Sequence, residues 1–101
     1  MKKEAENLYM AVLSIKNLAE AKRFFRDLLT AEEISEFSKR WQAAQMLYDK
    51  IPYSKIEKKT KLSSRTIARI AKWLNKGMGG YKLILKRTHK RNSFLAGKGL
   101  C

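Results

Sequence analysis

Tyr53-Ser54-Lys55-Ile56-Glu57-Lys58-Lys59-Thr60-Lys61-Leu62-Ser63-Ser64-Arg65-Thr66-Ile67-Ala68-Arg69-Ile70-Ala71-Lys72 is the stretch from which the rest of the chain can be read. Its small or apolar residues fall at Ile56, Thr60, Leu62, Ile67 and Ile70. That spacing lets two short helices joined by a tight turn share one buried angle. Ser63 follows the turn and can cap the second helix by accepting from its first amides. Ser64, Arg65, Ala68, Arg69 and Lys72 then point away from the buried angle and, with Ser63, form a face of basic and small polar side chains. The pattern is that of a helix-turn-helix, in which such a face meets base edges in the major groove. Lys55, Lys58, Lys59 and Lys61 fall closer to phosphates. Arg65 and Arg69 are the candidates for base readout, because arginine can bridge guanine O6 and N7, although either can equally clamp a phosphate.

Charge points to the same half of the chain. Residues 1–50 carry nine Lys/Arg against eight Asp/Glu, whereas residues 51–101 carry fourteen against one, within a total of +14. Such a field attracts polyanions, and neutralising phosphates releases counterions, so nucleic acid is the first partner to consider, and with the helix-turn-helix that means double-stranded DNA. A lysine pair such as Lys58-Lys59 taken alone would be only a solvated surface.

The chain offers little to catalysis. His89 is the only histidine and stands in a basic segment, Lys86-Arg87-Thr88-His89-Lys90-Arg91, which fits a surface residue. Asp27 and Asp49 belong to no paired-carboxylate motif, and Gly77-Met78-Gly79-Gly80 lacks the Lys-Ser/Thr ending of a phosphate-binding loop and serves as a helix stop. Cys101 is the only cysteine, which excludes an internal disulfide and a cysteine-rich zinc site. We therefore expect no enzyme, no cofactor and no metal. The N-terminus lacks a signal-peptide core and no apolar run reaches membrane-spanning length, so the expected place is the cytoplasm, at the nucleoid when DNA is bound.

Periodicity predicts an all-α chain. Leu8, Ala11, Val12, Ile15 and Leu18 or Ala19 make a helical stripe from about Glu4 to Ala21. Phe24, Phe25, Leu28 and Leu29 then suggest a separate short helix after a bend. Thr30-Ala31-Glu32-Glu33 is a capping box that starts a helix running to about Asp49 or Lys50. Its apolar side holds Ile34, Phe37, Trp41, Ala44, Leu47 and Tyr48. Pro52 suits the entrance to the helix-turn-helix, and Gly77 ends the second helix after Lys76. Tyr81 to Arg87 fits a short helix, an extended segment or a dimer arm.

Three regions follow: N-terminal helices for core and dimerisation over 1–50, the helix-turn-helix and following segment over 51–87, and a basic, disordered tail over 88–101. The aromatic residues Phe24, Phe25, Phe37 and Trp41 fit core or dimer packing, and Trp73 fits packing on Tyr81 or a second subunit. The stripe Leu8, Val12, Ile15 with Phe24 and Phe25 is more than one small domain would bury alone, which predicts a homodimer.

In order, Leu29-Thr30-Ala31-Glu32-Glu33, Arg40-Trp41-Gln42-Ala43-Ala44-Gln45-Met46-Leu47, Tyr53-Ser54-Lys55-Ile56, Ser64-Arg65-Thr66-Ile67-Ala68-Arg69-Ile70 and Gly79-Gly80-Tyr81 resemble the YerC/YecD branch of the Trp repressor superfamily. The resemblance covers roughly residues 5–87. It implies a Trp-repressor-like helical domain, an intertwined homodimer built largely by the N-terminal helices, and sequence-specific DNA binding in transcriptional control, with repression the expected sense. Two positions depart from the family pattern. Lys61 stands where the turn usually has glycine and must accept a left-handed backbone. In the Trp repressor, arginines from two helices and an open glycine hold tryptophan. Arg69 matches one arginine and Arg40 lies near the other, but Ile70 fills the glycine's place. L-tryptophan is accordingly not expected as co-repressor. Two other readings fit the basic half: a DNA-targeting subunit or fragment of a mobile-element recombinase, and a basic RNA- or ribosome-associated protein.

Overall fold

The computed structural model describes residues 2–95, and side chains through Thr88. The described residues form six helices and no strand: α1 (Lys2–Leu13), α2 (Leu18–Leu28), α3 (Ala31–Tyr48), α4 (Tyr53–Thr60), α5 (Ser64–Lys76) and α6 (Gly80–Leu95). None of them is long and apolar enough to cross a membrane. The chain divides into two compact units between Ser35 and Glu36, within α3.

In the first unit the single helix read from Glu4 to Ala21 is corrected to two. α1 stops at Leu13, where the Ser14 hydroxyl donates to the Ala11 carbonyl at 2.7 Å. α2 starts at a cap: Asn17 Oδ1 accepts from the Glu20 amide at 2.9 Å, while Glu20 Oε1 accepts from the Lys16 amide at 3.0 Å. Satisfying two otherwise orphaned amides outweighs continuity of the apolar stripe. The capping box before α3 forms as read, Thr30 Oγ1 accepting from the Glu33 amide at 3.1 Å and Glu33 Oε1 from the Thr30 amide at 2.9 Å. Neither α1 nor α2 buries a residue, and Tyr9, Met10, Leu13 and Leu18 are all at least 63% exposed.

The second unit holds the core. Ile56, Ile67 and Ile70 are fully buried together with Ala43 and Ala44 of α3 and Leu85 of α6, and Leu62, Leu74 and Thr60 complete the interior. All five positions singled out between Ile56 and Ile70 are therefore inside. Because Ala43 and Ala44 belong to this core, the C-terminal half of α3 packs with the helix-turn-helix, on the far side of a boundary at residue 50. α3 ends in a Schellman turn: the Lys50 amide donates to the Leu47 carbonyl and the Ile51 amide to the Met46 carbonyl, both at 3.0 Å. Lys50 takes the left-handed conformation there, φ 65°, and Met46 and Ile51 both pack on the core.

α6 settles the ambiguous segment after the glycines and corrects the tail reading. The helix runs through Arg87 to Leu95, whereas residues 96–101, Cys101 among them, and the side chain of His89 lie outside the described residues. No glycine or proline interrupts residues 81–95, and the Thr88 hydroxyl turns back onto the Ile84 carbonyl at 2.9 Å, a bond that a helix accommodates. Leu85 anchors α6 in the core, and Tyr81 stacks on Trp41 of α3 with ring centroids 6.2 Å apart, so Trp41 rather than Trp73 is its ring partner. Gly77 is required where it stands, since a Cβ there would collide with the Trp73 carbonyl oxygen.

Lys61 adopts φ 64° and ψ 13°, the left-handed conformation expected at the turn. A side chain in that region costs about 1–2 kcal/mol, which exceeds the roughly 0.4–1 kcal/mol that glycine loses through its freer unfolded chain. Lys61→Gly should raise the unfolding free energy by about 0.5–1 kcal/mol. Urea titration at fixed protein concentration checks this through a higher midpoint with unchanged slope, and a lower midpoint would contradict it.

Candidate nucleic-acid interface

Ser63 sets the start of α5. Its backbone is extended, its Oγ accepts from the Thr66 amide at 3.2 Å and donates to Thr66 Oγ1 at 3.1 Å, and its carbonyl accepts from the Ile67 amide at 3.0 Å. With the first turn fixed, helical spacing fixes the faces. Ile67, Ile70 and Leu74 turn into the core. Ser63, Ser64, Arg65, Ala68, Arg69 and Lys72 are all exposed on the other side. Arg65 and Arg69 lie one turn apart with Ala68 between them, and its single methyl leaves room for close approach to a groove.

Lys55, Lys58, Lys59 and Lys61 are also exposed, on α4 and at its end. Lys58 and Lys59 occupy the last turn of α4, where cations complement the helix dipole, and the first turn of α5 contains no acidic residue. Arg40 pairs with Glu36 at 3.7 Å on α3, where the Arg40 guanidinium also sits 5.9 Å from the centre of the Phe37 ring. Phe37, read as part of the apolar side of α3, is half exposed beneath it.

α5 thus follows a turn with a left-handed residue and carries an exposed basic face opposite its buried stripe Ile67, Ile70 and Leu74. The profile of the Trp repressor protein family matches residues 3–89. The chain belongs to the Trp repressor family. It is 41% identical over 85 residues to a Bacillus subtilis protein named YerC, which covers 84% of this chain and 82% of that one. The crystal structure of a TrpR-like protein from Eubacterium eligens superposes with a TM-score of 0.82 at 39% identity, over 86% of this chain and 90% of its own. A structure from Staphylococcus aureus gives 0.80 at 34% identity, over 86% and 87%.

Family membership accounts for the six-helix fold and brings the two departures into focus. Lys61 keeps the turn's left-handed backbone without glycine, and Ile70, the neighbour of Arg69, is fully buried in the core. Sequence reasoning missed Lys50, the second lysine with a left-handed backbone. Its signal was there: an apolar residue, Ile51, directly after a polar one at the end of an apolar-periodic helix, the pairing that accompanies a Schellman turn. It also missed Asn75 and Lys82, which join Lys50 at one cavity beside α5.

Proposed function

We propose that this protein is a sequence-specific regulator of transcription, a repressor, that binds double-stranded DNA as a homodimer and reads it with α5. Membership of a family of DNA-binding regulators supports this reading. The observation that carries it is the exposed strip Ser63, Ser64, Arg65, Ala68, Arg69 and Lys72 on the side of α5 facing away from Ile67, Ile70 and Leu74. Arg65 and Arg69 read base edges, while Lys55, Lys58, Lys59 and Lys61 contact phosphates and orient the helix. The homodimer is supported by α1 and α2, on which Leu8, Tyr9, Met10, Val12, Leu13, Leu18 and Leu28 are exposed and no residue is fully buried. Exposed apolar surface of that extent marks an interaction face. Action at the nucleoid in the cytoplasm follows from this function.

Replacing Arg65 or Arg69 with alanine should cost about 1–3 kcal/mol on the preferred duplex and much less on random duplex. Replacing Lys58 or Lys59 should weaken both alike and lower the salt slope by about one unit per lost phosphate contact. Titrations of each variant against both duplexes at several salt concentrations decide it. Equal losses on both duplexes for the arginine variants would leave α5 as an electrostatic surface and not a reader.

Light scattering at micromolar concentration should give about twice the 11.7 kDa chain mass, and a monomer mass would sink the dimer. L-tryptophan should leave DNA affinity unchanged, since Ile70 occupies the place of the family's open glycine. A saturable rise in affinity with tryptophan, absent with alanine, would contradict that.

A further inference from the structure

Ala71 and Asn75 sit three residues after Ala68 and Lys72, on the flank of α5 beside its exposed strip. A cavity of about 440 Å³ opens there, within the range of about 300–1,000 Å³ usual for small-molecule sites. Five segments of the second unit meet around it: the end of α3, the α3–α4 connection, the start of α4, the C-terminal half of α5 and the first turn of α6. Its apolar floor is Leu47, Ile51, Ala71 and Leu74, all buried or partly buried. The exposed rim is cationic and hydrogen-bonding, with Lys50, Lys82, Tyr53 and Asn75. Asn75 donates one amide hydrogen to the Ala71 carbonyl at 2.9 Å, which orients its side chain and leaves the second hydrogen for an acceptor.

The Schellman turn that ends α3 fixes Lys50 at this rim, since Lys50 fills its left-handed position. The cavity includes neither Arg40 nor Arg69, so it is separate from the place where the family holds tryptophan, and none of its residues belongs to the strip assigned to base readout.

We infer that this cavity binds a small organic anion, its carboxylate or phosphate head drawn by Lys50 and Lys82 and a ring-sized apolar body resting on Leu47, Ile51 and Leu74. The bound anion would bridge α6 to the α3–α4 connection across α5. Binding at this site does not depend on the DNA reading, and the small-anion titrations that test it are made without DNA.

The full chain, labelled with ¹⁵N, is titrated with phenyl phosphate and with benzoate, which supply the two heads on one body. Benzyl alcohol supplies the body without charge, and inorganic phosphate the charge without a body. Saturable amide shifts centred on Ile51, Ala71, Asn75 and Lys82 are expected with one or both aromatic anions, and the control compounds should bind about ten-fold more weakly. Lys82→Gln, and Lys50→Gly, which relieves the left-handed strain, should each weaken the anion about three-fold with the fold intact. Absence of saturation, equal affinity for inorganic phosphate, or unchanged affinity in both variants would overturn the site. So would a result in which the two variants lose random-duplex affinity and salt slope while no small anion saturates, because these lysines would then belong to the DNA surface.

Discussion

The hydroxyl of Thr60, buried to 1% exposure at the end of α4, governs the turn on which the placement of α5 depends. Its Oγ1 donates to the Ile56 carbonyl at 2.7 Å and accepts from the Leu62 amide at 3.2 Å. The first bond belongs to the helix and the second pulls the chain out of it, so the residue between them, Lys61, takes up the reversal with its left-handed backbone. A buried amide without a partner costs about 1–3 kcal/mol, so replacing the hydroxyl by a methyl would expose the turn to that penalty at Leu62. From this joint the rest follows in order. Leu62 enters the core, Ser63 caps α5, and the helical repeat turns Arg65 and Arg69 outward as Ile67 and Ile70 turn inward.

Two kinds of interaction then operate on different length scales. The excess of basic over acidic residues after residue 50 acts through a field that reaches about 8–10 Å at ordinary ionic strength and carries no sequence information. In the proposed reading, hydrogen bonds from Arg65 and Arg69 would act only in contact and would depend on the angle at which α5 is held. The buried angle between α4 and α5, closed by Ala43, Ala44 and Leu85, supplies that rigidity. The first unit contributes differently: none of the residues of α1 and α2 is fully buried, and Phe24 and Phe25, partly buried, meet edge to face with ring centroids 5.3 Å apart.

What was legible in the sequence was what local chemistry decides. The capping box at Thr30 and Glu33, the cap at Ser63 and the end of α5 at Gly77 each depend on residues within four positions of one another, and the spacing from Ile56 to Ile70 foretold five interior side chains. The break between α1 and α2 was hidden because the apolar stripe continues across it while the deciding signal, Asn17 with Glu20, is short. α6 was ambiguous because its seven-residue apolar pattern fits strand and helix alike. Its anchors, Leu85 in the core and Tyr81 on Trp41, are contacts with residues far away in sequence. The left-handed Lys61 was foreseen only through the family resemblance, and the cavity at Lys50 and Lys82, drawn from five segments, has no sequence signature at all.

The central claim is that α5 reads DNA with the face opposite Ile67, Ile70 and Leu74. Amide chemical-shift mapping on a duplex selected from a random pool tests it most directly. The account expects the largest shifts from Ser63 to Lys72, smaller ones from Lys55 to Lys61, and little change at core amides of α3. Shifts centred on α1, α2 or α6, with the amides of α5 unmoved, would contradict it.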